Sequence, residues 1–77
     1  MEELLEYLAR QLVDSPDEVR VERSERDTGE VLLELHVAEA DRGKVIGKGG
    51  RIARSLRTVV KASAVRTGRR VHVEIAA

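Results

Sequence analysis

The residues with most chemical potential in this 77-residue chain lie together in Val45-Ile46-Gly47-Lys48-Gly49-Gly50-Arg51-Ile52. Three glycines within four positions, with a lysine among them, let the backbone bend tightly and bring its N–H groups against a partner that leaves no room for a Cβ. Where such a loop leads into a helix, the free amides and the positive end of the helix dipole suit a phosphate. The chemistry on offer is anion capture by the backbone, assisted by Lys48 and by Arg51 and Arg54 in the turn that follows.

Two nucleotide-binding patterns fail on spacing. A phosphate-binding loop of the G-x-x-x-x-G-K-[ST] kind needs one more residue between Gly43 and Gly47-Lys48, and it needs a hydroxyl where Gly49 stands. A dinucleotide fingerprint needs a parallel strand-helix-strand unit and an acid about 20 positions on. Residues 60 to 73 contain no acid. A plain tight turn between two helices remains the structural alternative, since G-x-x-G alone is a weak pattern.

The elements that must position the loop are legible from periodicity. Leu4, Leu5, Leu8 and Leu12 form the stripe of an amphipathic helix over residues 3–13, ended by Ser15-Pro16-Asp17. Val19 and Val21 alternate with Arg20 and Glu22 in a short strand, and residues 24–30 read as a hairpin turn. Val31, Leu33, Leu35 and Val37 share one face of the clearest strand. Residues 38–46 fit a short helix that delivers the chain into the loop. A longer helix over residues 51–67 places Ile52, Leu56, Val59, Val60 and Ser63 on one side and Arg51, Arg54, Arg57 and Lys61 on the other, with Gly68 at its C-terminal cap. Val71, Val73 and Ile75 alternate in a last strand. Three strands apolar on one face and three helices with one apolar stripe each predict an α+β domain, a small sheet covered on one side by helices.

Charge is segregated along the chain although it sums to zero. Residues 1–41 hold 13 of the 14 acids and four arginines, whereas residues 42–73 hold ten basic side chains and no acid. A positive face of this kind steers an anionic partner. Solvated faces of an ordinary domain are the plainer explanation of the same counts.

The absences narrow the function class. With no cysteine there is no disulfide and no thiolate metal site. His36 and His72 fall at outward strand positions without metal-ligand spacing, so no metal is expected. Glu34 and Glu74 would adjoin if their strands pair, but no nucleophile or enclosed pocket accompanies them; we expect no enzyme and no cofactor. The N-terminus is acidic, unlike a targeting signal, and no apolar run approaches the roughly 20 residues of a membrane span. The expectation is a soluble, cytoplasmic protein with no membrane partner.

Ile46-Gly47-Lys48-Gly49-Gly50 resembles the I-G-x-x-G signature of the K-homology (KH) domain, and the order helix-strand-strand-helix-helix-strand resembles its type II form. Over residues 1–77 the chain is similar to the small stand-alone bacterial KH proteins of the KhpA (YlqC) type. One departure is Ala53, three positions after the last glycine, where a larger apolar residue is common in the family; Ile52 stands beside it. The resemblance implies a single type II KH domain that holds about four nucleotides of single-stranded RNA by the glycine loop, with the bases in a shallow groove. The residues it implicates are Val45, Ile46, Gly47, Lys48, Gly49, Gly50, Arg51, Ile52 and Arg54, with the strand over residues 31–37 opposite. It further implies an RNA chaperone or post-transcriptional regulator that forms a homodimer or pairs with a larger KH protein of the KhpB (Jag) type. Single-stranded DNA is a second candidate ligand. Base-stacking modules fit less well, because Tyr7 is the one aromatic residue and lies in the acidic half.

Overall fold

The computed structural model describes residues 1–76. Helix α1 (Glu2–Leu12) starts with Glu2 and Glu3 at its positive end and buries Leu5 and Ala9. Pro16 then begins a single 3₁₀ turn, Pro16–Glu18, that redirects the chain into strand β1 (Arg20–Glu25). Strand β2 (Val31–His36) follows a turn in which the Arg26 amide donates to the Glu30 carbonyl at 2.8 Å and Gly29 takes φ of 86°. A second 3₁₀ turn, Glu39–Asp41, leads into the short helix α2 (Arg42–Ile46). After the glycine loop come helix α3 (Arg51–Ala64), a 3₁₀ turn over Val65–Thr67, and strand β3 (Val71–Ile75).

The sheet order is β1-β2-β3. Strands β1 and β2 are antiparallel, whereas β2 and β3 are parallel with Val31 opposite Val71 and Leu35 opposite Ile75. A parallel pair needs a long crossover, and here that crossover is α2, the loop and α3. The glycine loop therefore sits at the turning point of a unit fixed to the sheet at both ends. Val31, Leu33 and Leu35 alternate with half-exposed Leu32, Glu34 and His36, so the helices cover one face of the sheet and leave the other open.

Several expectations change in detail. Strand β1 extends to Glu25 rather than entering the turn at Ser24, because Arg23 binds Glu2 and Glu25, and Glu25 also meets Arg69. Ion pairs hold an edge strand whose sequence carries little apolar pattern. Strand β2 is central, and its inward side chains Val31, Leu33 and Leu35 lie fully in the core. On α3 the buried positions are Ala53, Leu56, Val60 and Ala64; Val59 is 45% exposed and Ser63 is exposed. The helix turns its small residues inward and packs tightly on the sheet.

Candidate nucleic-acid interface

The loop takes a conformation that only glycine adopts readily at several points. Gly47 has φ 76° and ψ 171°, and Gly49 and Gly50 are both left-handed at φ 66° and 77°. At Gly47 space is also decisive, since a Cβ would lie 2.7 Å from Cγ1 of Ile52. Ile52 thus packs on the loop backbone from the first turn of α3. The departure at Ala53 is accommodated in the same way: Ala53 is buried under α3, while Ile52 supplies the bulk beside the loop.

Helix α3 begins at Gly50 with no capping side chain and no acid in its first turn. A 3₁₀ turn over Lys48–Gly50 engages two of the amides at this start, Gly50 donating to the Gly47 carbonyl at 3.1 Å and Arg51 to the Lys48 carbonyl, so the ligand-facing feature is the positive end of the helix dipole with the amides that follow Arg51. Arg54 reaches back to donate from Nη1 to the Gly49 carbonyl at 3.0 Å, which ties helix to loop and leaves other guanidinium donors free. Lys48 and Arg51 are exposed beside it. Ile46 is 37% exposed and adds an apolar surface at the loop entrance.

The structure brings most of the sequence-predicted residues together and removes one. Val45 is fully buried, packed with the core, and cannot touch a ligand. The reason is geometric, as the five-residue α2 turns Val45 toward the sheet and Ile46 away from it. Gly47, Lys48, Gly49, Gly50, Arg51, Ile52 and Arg54 are contiguous around the helix start. Arg57, expected on the outer face of α3, instead donates from Nε to the Val73 carbonyl at 3.0 Å on the open edge of β3.

Asp41 was not among the predicted site residues, yet it holds the unit that carries the loop. It is 2% exposed, and its carboxylate accepts the amides of Asp14 at 3.2 Å and Ser15 at 3.0 Å. Lys44 is 3.3 Å from Asp41 and also binds Asp14. Burial pushes the Asp41 carboxyl up, but the two amides and Lys44 outweigh it and hold the group below its usual range. These bonds span 27 and 26 residues of sequence, so no local signal announces them. The same pairing makes Lys44 a structural cation rather than a ligand contact.

Among the described residues, the remaining cations of the basic half are mostly without carboxylate partners. Lys44 and Arg69 have them; Lys48, Arg51, Arg54, Arg57, Lys61 and Arg70 do not. Both histidines meet glutamates instead: His36 lies 3.5 Å from Glu22 and His72 3.2 Å from Glu30. Glu34 and Glu74 are indeed paired across β2 and β3, on the open face of the sheet with no enclosing pocket. No cluster of potential ligands able to hold a metal occurs among the described residues, and no helix among them is long and apolar enough to cross a membrane.

A three-stranded sheet with helices on one face, whose parallel crossover carries G-x-x-G at a helix start, is the arrangement of a type II KH domain. The chain belongs to the family described as KhpA/KhpB, KH domain, whose model it matches over residues 2–75. It is similar to the RNA-binding protein KhpA of Clostridium acetobutylicum, 57% identical over 77 residues, with 97% of this chain and 99% of that protein covered. The RNA-binding protein KhpA of Treponema pallidum is 54% identical, with 96% and 91% covered, and that of Bacillus subtilis 44% identical, with 97% and 91% covered. Among solved structures, Aquifex aeolicus Era bound to GDP and aluminium fluoride superposes with a TM-score of 0.63 at 19% identity, over 96% of this chain and 28% of that one. Era in complex with MgGDPNP and nucleotides 1506–1542 of 16S ribosomal RNA gives the same TM-score, identity and coverage. At that identity the likeness speaks to the fold alone.

Proposed function

We propose that the protein, acting as one KH domain over residues 1–77, binds single-stranded RNA by its backbone as a cytoplasmic RNA chaperone or post-transcriptional regulator. The observation that carries this reading is the start of α3 with no capping side chain, flanked by exposed Lys48, Arg51 and Arg54 and reached through three glycines at positive φ. Phosphate oxygens sit at the positive end of the α3 dipole and accept from the Lys48, Arg51 and Arg54 side chains, while the Gly50 and Arg51 amides, bonded to loop carbonyls, keep the loop in shape. Ile46 and Ile52 offer apolar contact to the bases. With no aromatic side chain at the site, each base gains little stacking energy, so affinity comes from phosphates and sequence specificity is low. The names of the KhpA relatives support the same ligand class.

Lys48→Asp with Gly49→Asp tests this reading. Position 49 has open space for a side chain, and Asp tolerates its left-handed backbone better than most residues. The double variant should keep its circular dichroism spectrum and lose RNA binding; unchanged binding by the folded variant overturns the proposal. Competition with DNA of the same sequence tells whether the 2′-hydroxyl is read.

A second reading, pairing with another protein, is favoured by one feature. Leu8, Leu12, Ile52, Leu56 and Val59 line an apolar groove between α1 and α3, with Leu12 and Val59 37% and 45% exposed. A second copy of the chain, or the KH domain of a larger KhpB-type protein, would bury this strip and supplement a small core. Light scattering of the wild type and of Val59→Glu, with and without RNA, separates the two readings. A dimer that dissociates in the variant while RNA binding persists assigns the groove to pairing.

A further inference from the structure

The exposed side of α3 continues beyond the loop in a regular way. Arg51, Arg54, Thr58, Lys61 and Val65 recur at intervals of three and four, which places them in one nearly straight stripe, and all five are exposed. The stripe starts at the glycine loop and spans the 14 residues of α3, about 21 Å at the helical rise. At its far end is an open hollow of about 350 Å³ between α3 and β3. Val65, 75% exposed, gives the hollow its apolar surface; Val71, 3% exposed, borders it from the core, and Lys61, Arg69, Arg70 and His72 complete its lining.

Two of those cations are committed elsewhere: Arg69 binds Glu25 and the Gly29 carbonyl, and His72 faces Glu30. Lys61 and Arg70 have no carboxylate partner among the described residues and are exposed. An apolar surface beside two free cations suits one nucleotide unit, the base on Val65 and the phosphate on the charges. On a folded surface a solvent-exposed valine between lysine and arginine contributes nothing to the core.

We infer that this hollow is a second contact site for the same single strand, so that one domain holds a strand from the loop along α3 to Lys61 and Arg70. The inference rests on the reading of the loop as a single-strand clamp and extends its footprint beyond the loop-proximal nucleotides. It gives affinity through length rather than through stacking, since each neutralised phosphate of a single strand contributes about 0.7 to the slope of log K against log salt. At about 20 Å the hollow is beyond a Debye length of roughly 8 Å from the loop at physiological salt, so its charges act on the strand they touch.

The test compares a fluorescent uridine pentanucleotide with a uridine dodecanucleotide on the full chain and on Lys61→Glu with Arg70→Glu. Both positions are exposed, and circular dichroism verifies that the variant is folded. The variant should bind the pentanucleotide like the wild type and the dodecanucleotide about tenfold more weakly, with the dodecanucleotide salt slope reduced by about 1.4 for two lost contacts. Equal weakening of both oligonucleotides, or of neither, overturns the inference. The loop variant Lys48→Asp with Gly49→Asp is measured alongside. If it binds both oligonucleotides like the wild type, the loop reading itself fails, an outcome distinct from failure of the hollow.

Discussion

Helices α1 and α3 are both amphipathic and pack on the same sheet face, yet their N-termini are built in opposite ways. Glu2 and Glu3 occupy the first turn of α1 and satisfy its dipole from within the chain. The first turn of α3 holds Arg51 and Arg54, no acid and no capping side chain. A helix selected for stability alone would carry the acids here too. The same division runs through the ion pairs: Arg10, Arg20 and Arg23 of the acidic half meet carboxylates, while most cations after residue 42 do not. Cations of the acidic half are held by carboxylates, whereas those around the start of α3 are left for an anionic partner.

The most damaging way to disturb this contrast is to alter the backbone that presents α3. Gly47→Ala forces a Cβ against Ile52 at a left-handed position, and the combined strain and overpacking should cost on the order of 3 kcal/mol. A fall in the urea midpoint with an unchanged slope would register it. Wild-type stability in the variant would mean that the loop is held only when a ligand is present.

Next in size is the attachment of α2 to the end of α1. Because its folded pKa lies below the ordinary value, Asp41 contributes stability that is present above about pH 4 and is lost as pH falls through the lower folded value. Asp41→Asn should therefore lower the melting temperature at neutral pH and flatten its decline in acid. A melting curve with the wild-type acid dependence would show that Asp41 is not the group responsible.

Smaller effects of opposite sign sharpen the comparison of the two helix starts. Arg51→Glu places an acid at the bare N-terminus of α3 and should stabilise the free protein by about 0.5 kcal/mol while weakening RNA binding. Glu3→Lys makes the reverse change in α1; it should lower the melting temperature slightly and leave RNA binding as it was. Thermal melts paired with fluorescence anisotropy read both properties. If Arg51→Glu loses stability, the first turn of α3 is not the electrostatically unfavourable site described here.

How much of this was legible in the sequence follows from the range of each interaction. The glycine loop, the helix starts and the alternation in β2 are local patterns, and each appears where periodicity places it. The set Gly47 to Ile52 with Arg54 is contiguous in sequence and remains so in space. What periodicity missed depends on contacts between distant residues. Val45 and Ile46 are adjacent apolar residues, and only the packing of α2 on the sheet decides that the first is core and the second is surface. Arg57 looks like an outer-face cation until β3 is placed beside it. Asp41 resembles any surface acid, but the amides it receives lie across the turn after α1. The last two residues of β1, Ser24 and Glu25, pair with Leu32 and Val31 of β2 beside ion pairs to α1 and to the residues before β3, for which strand propensity has no signal.

On the proposed function, a nucleic-acid phosphate supplies the counter-charge that the first turn of α3 lacks. Titration of the ¹⁵N-labelled protein with single-stranded RNA, followed by amide chemical shifts, addresses this most directly. The largest shifts are expected on the amides of Lys48 through Ala53, while Glu2 through Leu5 at the start of α1 stay in place. Shifts concentrated on α1 or on the open face of the sheet, with the loop amides unmoved, would contradict it.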